Sequence, residues 1–315
     1  MRFATYVEAG GSAEHLGLVL GERVINVAVA ADLLGLAPVP DDMASFIAAG
    51  PNVLATARGL AARLDDDSRG RGLKARATDN GLPLESVRLR APITRPARNV
   101  VCVGLNYADH VAESQSVVGS NLPEYPVFFS KPPSTVIGPG DEIPWHGHVS
   151  TAIDWEAELA VIIGHECRDV DEASALNVVF GYTVANDVTA RDLQRRHGQW
   201  YKGKGLDGFC PMGPLVVTSD EIGDPHQLDI ALRVNGVEKQ RSNTRHLIFR
   251  IPRLIAEWSA GMTLFPGDIL LTGTPSGVGV GRTPPEFLKP GDVVEAEVGG
   301  IGVLRNTVGA GDAAG

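Results

Sequence analysis

Every second residue of the run Asp154-Trp155-Glu156-Ala157-Glu158 is acidic, and the run leads into Leu159-Ala160-Val161-Ile162-Ile163-Gly164. That apolar, β-branched continuation reads as a strand leaving a turn. Residues two apart in a strand share a face, so Asp154, Glu156 and Glu158 are expected on one side, with Trp155, Ala157 and Leu159 on the other. Like charges so placed repel unless water screens them or a cation sits between them. Taken alone, the pattern fits a wetted strand face as well as a metal site. Asp187, which follows the apolar run Val178 to Val184, offers a further carboxylate. With Glu156 and Glu158 it makes an all-oxygen set that suits Mg²⁺, Mn²⁺ or Ca²⁺, and the lack of a neighbouring His or Cys disfavours zinc. On its own, Asp187 would serve equally well at the N-terminus of the polar helix expected over Val188 to His197.

Three other stretches carry chemistry. In His110-x-x-Glu113 the two side chains are neighbours on one helical turn, so the carboxylate can orient the imidazole as a general base. An incidental surface pair has the same spacing. In Lys202-Gly203-Lys204-Gly205 a lysine between glycines is expected on accessible backbone, where it could neutralise an oxyanion. The glycine turn Thr272-Gly273-Thr274-Pro275-Ser276-Gly277 offers amides and hydroxyls to a carboxylate, or is a plain turn. The nucleotide-binding P-loop and the Gly-x-Ser-x-Gly nucleophile turn are not met at these places.

These residues need a scaffold. Residues 1 to about 35 alternate short apolar runs with glycine turns, as a small antiparallel sheet does. A helix is expected from Asp41 or Asp42 to Leu64, with Met43, Phe46, Ile47 and Leu54 on one face. Asp65 to Gly72 reads as loop. Strands are expected at Asn99–Gly104, Pro126–Pro132, Val178–Val184, Ile230–Val234 (entering an Asn235-Gly236 hairpin), Asp268–Leu271, Val293–Val298 and Gly302–Val308. A single helical turn is expected at Ala108–Glu113, a mobile loop over 114–125, irregular structure from Trp200 to Pro214, and a helix within Ile248–Ala260. Pro139-Gly140-Asp141, Pro266-Gly267-Asp268 and Pro290-Gly291-Asp292 each read as a β-turn launching a strand. Short turns join most strands, so the fold class expected is α+β, predominantly β and largely antiparallel. A small N-terminal α/β domain (1–92) would precede a catalytic domain (93–315).

The 315 residues carry a formal charge of −10, which argues against nucleic acid and anionic membranes as partners. A small anionic substrate remains compatible, because a bound cation reverses the local field. Cys102, Cys167 and Cys210 are far apart and fit a reducing cytoplasm rather than a disulfide framework. Neither a secretory leader nor a run of the ~20 apolar residues needed to span a bilayer is present. The location expected is cytoplasmic.

Taken together, the stretches resemble the fumarylacetoacetate hydrolase family. The resemblance rests on Val101 to Glu113, Phe128-Phe129-Ser130-Lys131-Pro132, Asp154 to Gly164 and Asn186 to Gln194. It continues through Lys204 to Pro211, Val234-Asn235-Gly236, Pro266-Gly267-Asp268-Ile269 and Thr272-Gly273-Thr274-Pro275, in order over about residues 96 to 308. It implies a mixed β-sheet roll, a homodimer, and Mg²⁺ or Mn²⁺ (Ca²⁺ as a further option) on Glu156, Glu158 and Asp187. It also implies a His110–Glu113 dyad on a lid that orders over substrate, Lys204 beside the reacting carbonyl, and substrate contacts from Gln194 and Thr274. Trp155 stands where tyrosine is frequent, and is expected to face away from the metal.

The activity expected first is hydrolysis of a carbon–carbon bond in a 2,4-dioxo acid of acylpyruvate type, with His110 activating water and Lys204 stabilising the oxyanion. The same site would alternatively decarboxylate oxaloacetate, or isomerise an unsaturated dicarboxylate of the 2-hydroxyhepta-2,4-diene-1,7-dioate kind met in aromatic catabolism. A non-catalytic β protein with structural Ca²⁺ is the rival from another class. It would need neither the His110–Glu113 pair nor Lys204.

Overall fold

The computed structural model describes residues 1–65, 81–113 and 122–311. The chain opens with an antiparallel meander, β1 (Arg2–Val7), β2 (Glu14–Leu20) and β3 (Arg23–Asn26). Helices α1 (Val27–Leu33), α2 (Met43–Ala48) and α3 (Pro51–Asp65) follow. β1 also pairs with the distant β8 (Cys210–Thr218), Arg2 opposite Val217, so the N-terminal strands extend a sheet made by the rest of the chain.

That sheet runs on from β8 through β7 (Val179–Asn186), β6 (Ala157–Ile163), β11 (Ile269–Leu271), β4 (Val100–Gly104) and β5 (Val127–Lys131). A second sheet of five strands has the hairpin β9 (Asp229–Val234) and β10 (Val237–Asn243) beside β12 (Val293–Val298) and β13 (Gly302–Val308). Pairing is antiparallel apart from short parallel contacts such as β11 with β4. The α+β, predominantly β class expected from the turn pattern is the one found. Every residue of β6 and β7 is buried, which explains why both read as near-continuous apolar runs. The main core lies between the two sheets, including Leu159, Val161, Val184, Leu232 and Val294. A second core under α1 to α3 stacks Phe3, Phe46 and Phe180.

Several local expectations need correction. The long helix over 41–64 is two helices. Gly50 takes φ +79° and Pro51 begins a new helix, where its missing N–H costs nothing. Helix α1 was not expected. Its Val-Ala-Val-Ala alternation reads as strand, but the Asn26 side chain caps it by accepting from Val29 N–H (2.9 Å). The helix expected from Val188 starts only at Arg191, as α5 (Arg191–Arg196), because Thr189–Ala190 pairs with Ile153–Asp154. Asp187 is therefore not a helix cap. The segment 200–214 is ordered as the short helix α6 (Tyr201–Lys204) and the start of β8. The Asp65–Gly72 loop (beyond Asp65) and the greater part of the 114–125 loop lie outside the described residues.

Candidate active site

The acidic run is not one continuous strand. The ladder breaks at Trp155 and Glu156, where two amide side chains replace backbone partners. Asn186 Oδ1 accepts from Glu156 N–H, and Gln240 Oε1 accepts from Ala157 N–H, both at 2.9 Å. Glu156 and Glu158 are thereby brought to the carboxylate cluster, and Asp154 stands beside it, sharing Arg191 with Glu156. Asp187 comes from the end of the neighbouring β7 and is tied back by its own N–H to Glu156 C=O (2.9 Å). One carboxylate oxygen from each of Glu156, Glu158 and Asp187 lies within 4.8 Å of the others, and all three side chains are buried.

Three buried cations surround them. Lys204 Nζ reaches Glu156 Oε2 (2.7 Å) and Asp187 Oδ2 (2.6 Å). Lys131 Nζ reaches Asp187 Oδ1 (2.6 Å) and Val188 C=O (3.0 Å). Arg191 bridges Asp154 Oδ2 (2.8 Å) and Glu156 Oε1 (2.6 Å). Lys204 is not on accessible backbone as expected. It ends α6 and is 2% exposed, because Gly203 lets this helix press onto α5: a Cβ there would lie 2.6 Å from Gln194 N. Burial works against the charge of Lys204, but Asp187 and Glu156 outweigh it and hold the ammonium well above its usual range. Arg191 is raised in the same way by Glu156 and Asp154.

The carboxylates divide sharply. Burial alone would raise Glu156, but Lys204 and Arg191 bring it down to about 2. Glu158 has no cation of its own. It accepts one N–H, from Gly273 (2.5 Å), and burial together with Asp187 and Glu156 pushes its carboxyl well up. Asp154, Glu156 and Asp187 thus pair with Lys131, Arg191 and Lys204, and Glu158 is the one carboxyl of the four without an ion-pair partner. Buried, hard oxygen donors, one of them without a cation partner, suit a divalent cation with oxygen preference.

A small cavity of about 30 Å³ opens onto this cluster, walled by Glu156, Glu158, Arg191, Gln194, Lys204 and Thr274. His110 joins the same wall from α4 (Ala108–Glu113), and Phe129 and Trp200 form its apolar side. Glu113 sits behind His110, its Oε2 3.5 Å from Nδ1, an ion-pair separation that is long for a hydrogen bond. No hydrogen-bond partner for that Nδ1 is present among the described residues. Gln194 Oε1 accepts from Arg191 Nη1 (3.2 Å). The Thr274 hydroxyl donates to Ala157 C=O (2.9 Å) and accepts from Gln240 (2.8 Å), so it braces the ligand-bearing strand as well as lining the cavity. The eight residues singled out from the sequence therefore meet at one site. Trp155 points away from the carboxylate cluster, its indole bonded to Gly277 C=O.

Sequence reasoning missed Lys131, Arg191, Asn186 and Gln240 as site builders. Lys131 and Arg191 stood inside stretches that matched the family, yet nothing in their spacing says which carboxylate each would meet. Gln240 carried no signal at all.

Residues 99–309 match the family described as Fumarylacetoacetate (FAA) hydrolase C-terminal. The chain is 42% identical over 298 residues to the oxaloacetate tautomerase YisK of Bacillus subtilis, covering 93% of this chain and 96% of that one. It is 44% identical over 299 residues to the human mitochondrial oxaloacetate tautomerase FAHD2A, covering 93% and 87%. Among solved structures it resembles the fumarylacetoacetate hydrolase of Exiguobacterium antarcticum, with TM-score 0.79, 37% identity and coverage of 98% and 100%. It also resembles maleylpyruvate hydrolase of Sphingobium sp. SYK-6 in complex with manganese(II) and pyruvate, with TM-score 0.73, 30% identity and coverage of 99% and 100%. The chain belongs to the fumarylacetoacetate hydrolase family, whose members are enzymes. Among the activities expected from the sequence, the oxaloacetate and isomerase alternatives fit these relatives better than the carbon–carbon hydrolase placed first. No helix among the described residues is long and apolar enough to cross a membrane.

Proposed function

We propose that this chain interconverts the keto and enol forms of a small 2-oxo dicarboxylic acid, with oxaloacetate as the first candidate. His110 would move the proton, and Glu156, Glu158 and Asp187 would hold Mg²⁺ or Mn²⁺. The observation that carries this reading is the convergence of His110 and the carboxylate cluster on one buried cavity, whose wall among the described residues holds no Ser or Cys. An imidazole so placed beside a carboxylate cluster is suited to proton transfer. Bound there, a divalent ion supplies fixed positive charge for the electron density that gathers on oxygen when a carbon-bound proton leaves.

The chain's own groups do the rest. His110, oriented by Glu113, takes the proton from the carbon beside the 2-oxo group; the C–H electron pair becomes the C=C bond and the oxo oxygen gains the charge. The proton then returns to that oxygen, and the reverse order runs the reaction from enol to keto, with no water consumed. Lys204 offers its ammonium to the charged oxygen, and Arg191 with Gln194 receives a carboxylate of the acid. Phe129 and Trp200 keep the far side dry and small, which favours a four-carbon acid over a long acylpyruvate.

Hydrolysis is the second reading, favoured by the likeness to maleylpyruvate hydrolase with bound manganese and pyruvate. The same dyad would then direct a water. The deciding experiment follows the decay of enol absorbance on adding oxaloacetate with Mg²⁺ or Mn²⁺, with pyruvate assayed in parallel. Faster decay without pyruvate supports tautomerisation. Pyruvate release at the rate of substrate loss, with no faster enol decay, would replace it with decarboxylation. Pyruvate and a second acid from an acylpyruvate alone would replace it with hydrolysis. The homodimer, and a division near residue 92 into an N-terminal and a catalytic part, belong to this reading and are tested by sedimentation and by expressing residues 93–315.

A further inference from the structure

The carboxylate of the dyad is not held by its own helix. Both oxygens of Glu113 accept from Gly277 N–H (3.1 and 3.0 Å), and Asp109 of the same turn accepts from the Ser276 hydroxyl (2.8 Å). What holds Gly277 is the side chain of Trp155, whose indole N–H donates to Gly277 C=O (3.1 Å). Gly277 has φ +100°, and a Cβ there would lie 2.1 Å from Lys239 C=O, so the position is closed to other residues. Two residues on, Asp154 takes the N–H of Gly279 (2.6 Å) and of Val280 (3.0 Å). Consecutive residues Asp154 and Trp155 therefore clasp the 277–280 loop at both ends, and the next residue is the carboxylate Glu156. On the other flank Gly281 lies against Glu113, where a Cβ would fall 2.3 Å from Glu113 Cγ.

We infer that Trp155 is a positioning residue for the His110–Glu113 dyad, acting through Gly277 and tying the dyad to the strand that carries Glu156 and Glu158. The indole N–H fixes the glycine turn, the turn offers its amide to Glu113, and Glu113 sets the imidazole. Without the indole N–H, Gly277 C=O loses its donor, the turn gains freedom and the Glu113 carboxylate loses its fixed seat. Trp155 touches neither substrate nor the carboxylate cluster with its side chain, so its loss is expected in turnover rather than in binding. The inference rests on the dyad being the proton-transfer pair.

The test uses Trp155→Phe, which keeps an aromatic ring under Lys239 and Arg282 (5.8 and 6.0 Å from the present ring) and removes only the N–H and one ring of bulk. Its kcat should fall on the order of tenfold, a part of the ~10²–10⁴-fold that a positioned general base supplies. KM and Mn²⁺ affinity should hold, and hydrogen exchange at the Gly277 amide should speed up. Gly281→Ala pushes on Glu113 from the other side, at a φ that alanine tolerates, and should show the same split between kcat and KM. In a Glu113→Ala background, Trp155→Phe should cost nothing further. Unchanged Gly277 exchange in Trp155→Phe, or a kcat loss that persists in full in the Glu113→Ala background, overturns the inference. If Glu113→Ala alone keeps full activity while Trp155→Phe still frees the Gly277 amide, the dyad reading fails and the clasp stands.

Discussion

Lys131 tests the charge balance of the site most directly, because its ammonium has no exposure and no role at the surface. Replacing it with Met keeps the length and apolar stem and removes one cation from Asp187 Oδ1 and one donor from Val188 C=O. Breaking a buried pair by deleting one partner typically costs ~3–5 kcal/mol, because the survivor keeps its desolvation cost. Asp187 retains Lys204 on Oδ2 at 2.6 Å, so the lower end, about 3 kcal/mol, applies here. For a chain of this size that lowers the unfolding midpoint by roughly 4–5 °C. The measurement is thermal or urea unfolding of chelator-treated wild type and Lys131→Met, repeated with saturating Mn²⁺. Removing a positive charge beside the carboxylates also lessens repulsion of an incoming cation, so the variant should gain more from Mn²⁺. The gap should narrow by at least ~1 kcal/mol. A chelator-treated variant within about 0.5 kcal/mol of wild type would refute the premise that Lys131 neutralises Asp187. A gap that Mn²⁺ widens would refute the premise that the cluster is a cation site.

Other outcomes follow from the same geometry. Chelator should abolish turnover and Mn²⁺ or Mg²⁺ restore it; Glu158→Gln, which cannot ionise to meet the ion, should lose metal affinity at least tenfold by calorimetry. The Glu158 carboxyl is raised and so protonated up to that higher pKa without the ion. Metal binding below that raised pKa should therefore release protons, and affinity should rise with pH through it, read from calorimetry in buffers of different ionisation enthalpy. Trp200→Ala should raise the ratio of kcat/KM for a long acylpyruvate over oxaloacetate about tenfold, since the ring closes the apolar side of the cavity; an unchanged ratio removes Trp200 as the size limit. Burial pushes the Cys210 thiol up to about 12 and Cys102 well above its usual value, so alkylation of native protein should label Cys167 alone, with the other two reacting only on unfolding.

Local chemistry explains which parts of the fold could be read from the chain. The three Pro-Gly-Asp triplets were readable because their demand is local: Gly140, Gly267 and Gly291 have φ +75°, +89° and +86°, and each leads into a strand. Asn235-Gly236, with φ +53° and +75°, makes the expected hairpin between β9 and β10 for the same reason. What failed was decided at long range. Val188-Thr189-Ala190 looks like the start of a helix until Ile153–Asp154, some 36 residues earlier, pairs with it. The break inside the acidic run depends on Gln240, 83 residues from its partner Ala157. Period-two reasoning has no means of knowing that the ladder will be interrupted there.

The same distinction separates the acids of the site from their cations. Carboxylates announce themselves when they crowd, since three of them near an apolar strand are costly unless something neutralises them. Their partners come singly, from β5, α5 and α6, each looking like an ordinary basic residue. Nothing short of the fold shows that Lys131 is fully buried or that Arg191 joins Asp154 to Glu156. Yet the neutralisers are what give the site its character. With three buried cations paired to three carboxylates, Asp154, Glu156 and Asp187 are held in place, and Glu158 alone has no ion-pair partner at the cavity wall. A fourth fixed cation would have filled the site with protein. Its omission leaves a place that a divalent ion, and behind it an anionic acid, is suited to take.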